Sequence, residues 1–269
     1  MERNDSRGIS SDGEDVRERF DTRTIGAALH LHDEIDSTNL EALRLAKAGA
    51  PEGTVVVART QTAGRGRLGR TWADAPGGSL LMTARVAPPS GIEWMVTPAA
   101  ALAVAEAIRD WLDLPAMIKW PNDVLSDNRK VAGTLAEGSA DGLVAVGIGV
   151  NVTGDTDDLP QELRGRAGFL SEGAGRALDP DDMFAMLLPR LDESFLALRE
   201  GDARRIIARI REMDWLRGRR VTLSGAGENV SGVAEGWTDT GTLILRTDDG
   251  AFTEFPAGVV TVADEAELI

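Results

Sequence analysis

The last fifty residues constrain the fold most. From Arg220 the chain breaks into five short β-forming runs: Arg220–Ser224, Val230–Trp237, Thr242–Thr247, Ala251–Pro256 and Val259–Val262. Glycine, or a pair such as Asp249-Gly250, punctuates them. Runs this short and this closely spaced predict a small β-barrel. Upstream, longer elements alternate. TVVVAR at 54–59 and SLLMTARV at 79–86 predict short apolar strands, and 117–120 is strand-like and stopped by Pro121. Residues 130–137 and 143–150 predict a hairpin pair around Ala140-Asp141-Gly142. Ser37, Thr38 and Asn39 are capping residues for a helix that Gly49 can end. A long helix is expected over 96–112, with Ala100, Ala103, Val104, Ala107, Ile108 and Trp111 as its apolar stripe. Residues 181–200 and 203–213 also read as helical, and 153–180 as loop. The expected organisation is a polar, disordered tail over 1–24, an α+β domain over 25–216 and a small barrel over 217–269.

Charge narrows the function. The formal net charge is −15. Phosphate contacts supply most non-specific affinity for nucleic acid, so a chain this acidic is expected to bind neither nucleic acid nor an anionic membrane. A local basic pocket remains compatible with it. There is no cysteine, which excludes disulfides, thiolate catalysis and cysteine-ligated metal. His30 and His32 are the only histidines and read as strand-edge or surface residues rather than a metal pair. No apolar run approaches the ~20 residues that span a bilayer, and the N-terminus lacks the apolar core of a signal peptide. A cytoplasmic location is expected.

Against that acidity, one stretch stands out. QTAGRGRLGRTW, residues 61–72, places three glycines and three arginines between 64 and 70. Gly64, Gly66 and Gly69 formally match GxGxxG, but a dinucleotide fingerprint must open into a helix, and Pro76, Gly77 and Gly78 oppose one. Arg65, Arg67 and Arg70 are fork-shaped donors suited to phosphate or carboxylate on a backbone that permits close approach. Trp72 suits either a core position or a stacking platform. The chain has only three lysines, Lys47, Lys119 and Lys130, and two of them fall in KWPNDVLSDNRKVAGTLAEG. Within it Asn122-Asp123 presents an amide and a carboxylate after Trp120-Pro121.

Taken in order, Ser37-Thr38-Asn39, Gln61, the 64–70 loop, Trp72, Lys119–Asp123, Lys130–Gly133 and Gly147–Asn151 resemble the biotin–protein ligases, over about residues 30–265. The resemblance implies a class II synthetase-like catalytic domain, a mixed sheet with helices packed on one side, followed by an SH3-like barrel. It implies that biotin is activated by ATP to biotinyl-5′-AMP and passed to a lysine of a biotin carboxyl carrier domain, with Mg²⁺ shielding the ATP phosphates and no metal held by Cys or His. Carried over by position, Lys130, Arg65, Arg67, Asp123 and Lys119 are the expected catalytic residues. Biotin is expected on Ser37, Thr38, Asn39, Gln61, Gly64, Arg65, Gly66, Arg67, Lys130, Gly133 and Gly147. The nucleotide is expected on Arg67, Arg70, Trp72, Lys119, Asn122, Lys130 and Asn151. Leu68 departs from the arginine that the family loop often carries. The N-terminal tail is too short and polar for the winged helix of bifunctional members, so a ligase without repressor function is expected; homodimerisation is left open. A lipoate–protein ligase and a non-catalytic biotinyl-AMP-binding regulator are the rival readings.

Overall fold

Apolar β-runs of eight residues need cover on both faces, and their arrangement sets the architecture. The computed structural model describes residues 13–73, 75, 77–225 and 229–262. A first sheet contains β1 (Ala28–Ile35), β2 (Thr54–Gln61), β3 (Ser79–Val86), β4 (Met117–Lys119), β5 (Asp123–Ser126), β6 (Arg129–Gly138) and β7 (Val144–Asn151). Its spatial order is β1-β2-β3-β7-β6-β5-β4. Only β1 and β2 run parallel, and a parallel pair needs a crossover, which α2 (Thr38–Lys47) supplies. The remaining pairs are antiparallel.

The sheet's two faces differ. Val55, Val57, Leu80, Met82, Ala84, Val146 and Ile148 join the main core with α3 (Val96–Leu112), α5 (Pro180–Arg199) and α6 (Ala203–Glu212). Val56 and Ala145 face the other way and pack with Ala42 of α2. The expectation of helices on one side is therefore corrected: α2 lies on the opposite face from α3, α5 and α6. The stripe expected on α3 is also too narrow. Val96 and every residue from Pro98 to Ile108 is buried, because this alanine-rich helix is packed against the sheet and against α5.

Strand β5 has no counterpart among the elements expected from the sequence. It pairs with β6 through Ser126↔Arg129, leaving a two-residue loop, Asp127-Asn128. Both loop residues have positive φ, 49° and 61°, as a hairpin turn matched to strand twist requires. The loop expected over 153–180 contains α4 (Leu170–Ala174), and Leu159, Ala167 and Phe169 form a small cluster with Ala75.

Residues 1–12 of the expected tail lie outside the described residues. Residues 13–24 join the folded body, through α1 (Arg17–Phe20), a bridge from Glu14 to Leu29 and the buried Val16. The buried Asp192 of α5 accepts hydrogen bonds from the backbone N–H groups of Arg23, Thr24 and Ile25 at 2.7, 2.9 and 2.8 Å.

The C-terminal strands are β8 (Arg220–Ser224), β9 (Val230–Trp237), β10 (Leu243–Thr247), β11 (Phe252–Phe255) and β12 (Val259–Val262). Their order is β11-β10-β9-β8-β12, and the two edges β11 and β12 do not pair. The expected barrel is thus an open five-stranded sheet. Its edge strands have four residues each. Pro256, which has no N–H to donate, ends β11, and the chain crosses directly to the far edge, where Val259–Val262 pair with Ser224–Val221.

Residues 213–215, which lead into the second sheet, bond to β4 of the first. Ile118 N–H donates to Met213 O at 2.7 Å and Trp215 N–H to Ile118 O at 2.9 Å. Between them Asp214 is buried. Its Oδ1 accepts from Leu216 N–H at 3.0 Å. Burial pushes this carboxyl above its ordinary 3.8, with the Leu216 N–H, the Trp237 side chain and Arg217 opposing. The neutral form's contribution to stability is therefore full below the unfolded pKa and is lost as pH rises through the folded one. Asp214→Asn keeps an acceptor for Leu216 but does not titrate. Its melting temperature is expected to gain on the wild type's as pH rises from about 4 to about 7. Parallel curves would contradict this.

Candidate active site

The face that carries α2 changes character along β3, β7 and β6. Register aligns Thr83, Gly147 and Leu135 in one row, and Leu81, Gly149 and Gly133 in the next. Glycines at 133, 147 and 149 leave part of the sheet bare, and larger side chains from other segments lie down on it. A Cβ on Gly147 would sit 2.2 Å from Asn39 Oδ1, and one on Gly149 would sit 2.5 Å from Trp72 Cε2. On Gly133 it would meet Lys130 Nζ at 3.1 Å and Trp72 Cζ3 at 3.2 Å. The glycine pattern is therefore the imprint of Asn39 and Trp72.

At the start of α2, Ser37 takes the N-cap position without a side-chain bond of its own. Gln61 instead supplies the acceptor: its Oε1 takes Thr38 N–H at 2.8 Å and lies 3.2 Å from Thr38 Oγ1. Thr83 Oγ1 lies 2.9 Å from Thr38 Oγ1 and donates to Asn39 Oδ1 at 2.6 Å. Ser37, Thr38 and Asn39 are all buried, so this is a rigid polar socket of donors and acceptors.

The 64–72 loop folds back on itself. Gly66 N–H donates to Arg70 O at 2.8 Å and Trp72 N–H to Gly64 O at 3.0 Å, and Arg65 bridges to Thr71. Its cations have unlike environments. Arg65 pairs with Glu137 at 3.0 Å. Arg67 Nη1 donates to the neutral Asn122 Oδ1 at 3.2 Å. Burial lowers the Arg67 pKa; Asp123 opposes this and Arg70 adds to it. Arg67 is thus a partly desolvated cation held by an amide. Asn122 is fixed in turn by donating to Thr134 O at 2.9 Å.

Lys130 Nζ is 2.6 Å from Asp123 Oδ1 and 5.4 Å from the centre of the Trp72 ring. Its backbone is clamped by the 161–168 segment, with Lys130 N–H donating to Arg166 O at 2.8 Å and Gly168 N–H to Lys130 O at 3.0 Å. Lys119 Nζ lies 5.2 Å from the Trp215 ring centre, and Trp215 Nε1 donates to Asn128 Oδ1 at 2.9 Å.

A single cleft of about 430 Å³ draws these groups together. Ser37, Thr38, Asn39, Gln61, Arg65, Gly66, Arg67, Arg70, Trp72, Lys119, Asn122, Asp123, Lys130, Gly133, Gly147 and Asn151 all line it. Gly64 does not; a Cβ there would press on Trp72 O at 2.9 Å, so it serves the loop's fold. Sequence reasoning missed the 162–167 contribution and residues 258–261, which also wall the cleft, and Thr83, which stands behind it bonded to Thr38 and Asn39. It missed Glu137 behind it. Thr83 had a usable signal, as the one hydroxyl inside the apolar run LLMTA.

Two buried polar atoms in the cleft floor have no hydrogen-bond partner among the described residues: the Trp72 Nε1 donor and the Asn151 Oδ1 acceptor. Asn151 Nδ2 donates to Gly168 O at 3.2 Å. Unmatched buried groups of this kind are costly unless a ligand or water meets them. Among the described residues no group of three or more His, Asp or Glu could hold a metal ion, and no helix is long and apolar enough to cross a membrane.

Residues 32–155 match the biotin/lipoate A/B protein ligase family, and residues 217–262 match the biotin protein ligase C-terminal domain. The biotin–[acetyl-CoA-carboxylase] ligase of Paracoccus denitrificans is 38% identical over 234 residues, covering 80% of this chain and 92% of that protein. The bifunctional ligase/repressor BirA of Bacillus subtilis (strain 168) is 38% identical over 171 residues, 61% of this chain; the match spans about half of that relative's length, 53%. Among solved structures, the biotin protein ligase from Aquifex aeolicus in complex with biotin and ATP superposes with a TM-score of 0.78 at 31% identity, covering 87% of this chain and 97% of that one.

Proposed function

The chain belongs to the biotin–protein ligases, and from that premise we propose that it activates biotin with ATP and transfers the biotinyl group to a lysine of a biotin carboxyl carrier domain. The observation that carries this reading is the meeting of Lys130, Arg67 and the 37–39 socket in one cleft. In the first step a carboxylate oxygen of biotin attacks the α-phosphorus of ATP, the bond to the β-bridging oxygen breaks, and pyrophosphate leaves. Both reactants are anionic, so the barrier is lowered by cations fixed in advance where charge grows. Lys130 and the partly desolvated Arg67 are those cations. Lys119, held near the Trp215 ring, assists with the phosphates. Biotin's ureido ring is neutral and demands donors and acceptors in fixed places, which Ser37, Thr38, Asn39 and Gln61 offer. An adenosine has both the acceptor that Trp72 Nε1 lacks and the donor that Asn151 Oδ1 lacks, and Arg70 lines the same cleft. Mg²⁺ enters with the nucleotide and is held mainly by its phosphates.

In the second step the amine of the acceptor lysine attacks the acyl carbon, AMP leaves, and the amine's proton must be taken up. Asp123, drawn against Lys130, is the carboxylate available to orient that amine and receive the proton. Between the two steps the mixed anhydride survives only if water is kept out, which is the role of the 64–72 loop. A lipoate ligase is disfavoured by the match to the C-terminal domain of the biotin enzymes.

The test is the intact mass of a carrier domain incubated with this protein, biotin and MgATP. One biotinyl group on one lysine, dependent on both small molecules, is expected. An unchanged mass, or a gain only when lipoate replaces biotin, would overturn the reading.

A further inference from the structure

Glu137 does not line the cleft, yet it touches two segments that do. It lies on β6 beyond Gly133 and Leu135 on the same face. Oε1 is 3.0 Å from Arg65 Nη2, and Oε2 accepts from Asn39 Nδ2 at 2.7 Å. Asn39 is itself pinned, with Oδ1 accepting from Thr83 and the bare Gly147 beneath it. One carboxylate thus joins the cationic loop to the start of α2.

We propose that Glu137 is a positioning residue that latches the 64–72 loop over the cleft through Arg65 and sets the socket through Asn39. The proposal rests on reading the cleft as the biotin and ATP site. It divides the work of the loop's arginines. Arg65 is already neutralised by a protein carboxylate and acts as a tether. Among the described residues Arg67 hydrogen-bonds a neutral amide oxygen, with Asp123 acting on it only at a distance, and is left to meet the ligand's anion. The latch suits a loop that must both open and close: the Arg65 side chain is 43% exposed, and a pair that open to water is weak enough to break and reform. Glu137 adds nothing to the chemistry itself, so its loss is expected in binding and retention rather than in turnover.

The experiment compares wild type, Glu137→Gln, Arg65→Gln and the double variant. Glutamine keeps an oxygen for Asn39 and removes the ion pair. Chymotrypsin reads the latch directly in ligand-free protein, because Leu68 stands 71% exposed at the loop tip. In Glu137→Gln, cleavage after Leu68 is expected to be about fivefold faster, and biotin KM to rise about fivefold, the upper range for one exposed ion pair. Turnover at saturating biotin is expected to stay within about twofold, and free biotinyl-AMP to leak into solution faster. The double variant is expected to match Arg65→Gln alone, since the partner is already gone. Unchanged cleavage in Glu137→Gln, or effects of the two substitutions that simply add, would overturn the latch. If wild type forms no biotinyl-AMP from biotin and ATP, the reading of the cleft fails, while the proteolysis arm still decides whether Glu137 holds the loop.

Discussion

Lys130→Met is expected to lower the rate of biotinyl-AMP formation by at least about a hundredfold, about 2.7 kcal/mol of transition-state stabilisation, the usual size for losing one preorganised group at a developing charge. The argument is electrostatic. Lys130 Nζ has an anion beside it already, Asp123 Oδ1 at 2.6 Å, and stands over the Trp72 ring, 5.4 Å from its centre. It therefore holds a fixed cation in a cleft whose other central cation, Arg67, is partly desolvated. Methionine preserves most of the stem and removes the charge. The fold should tolerate it: Lys130 and Asp123 are 37% and 27% exposed at the side chain, and pairs so placed contribute little to stability. Arg67→Ala should cost a similar factor, and Arg67→Lys should rescue it only in part, because an ammonium cannot reproduce the planar fork. Single-turnover measurement of biotinyl-AMP from biotin and MgATP checks both. A Lys130→Met rate within threefold of wild type would remove Lys130 from the chemistry.

The parts of this molecule that the sequence made legible are those decided by local pattern. TVVVAR and SLLMTARV could only be buried strands, and the 96–112 run only a helix. Period and composition say less about what covers them. Val55 and Val56 are adjacent and equally apolar, yet one faces α3 and α5 and the other faces α2; only the packed structure separates those faces. Barrel closure was illegible for a related reason. It depends on whether two edges hydrogen-bond, and nothing within β11 or β12 encodes the other's distance. Asp127-Asn128 makes a tight hairpin turn without the glycine that usually announces one. In the cleft, residues with conspicuous chemistry, such as Lys119, Lys130 and the three loop arginines, were found from the sequence. Glu137 was not, because its importance lies in its two partners, 72 and 98 residues earlier in the chain.

The glycine floor leads to the second large effect. Gly149→Val is expected to reduce kcat/KM for biotin adenylation by about 10- to 100-fold, in line with the roughly 1–3 kcal/mol cost of overpacking a formed site. A Cβ at this position would already lie 2.5 Å from Trp72 Cε2 and 2.6 Å from Cζ2, and valine adds two methyls. The ring cannot yield a few tenths of an ångström and stay in place, since Trp72 N–H is tied to Gly64 O and its far edge lies against Gly133. It must lift, carrying the end of the loop and exposing Lys130 to water. The strand itself has no such difficulty. Gly149 has no positive φ, and valine suits a β-strand. The damage should therefore appear in the cleft more than in the fold. Three measurements check this: the melting temperature, the tryptophan fluorescence and kcat/KM. A cooperative melt close to wild type, a changed indole signal and a large loss of activity are expected together. Activity within about twofold of wild type, the smallest change such an assay resolves against a predicted tenfold, would mean that Trp72 is free to leave this floor and that the bare strand serves no purpose in catalysis.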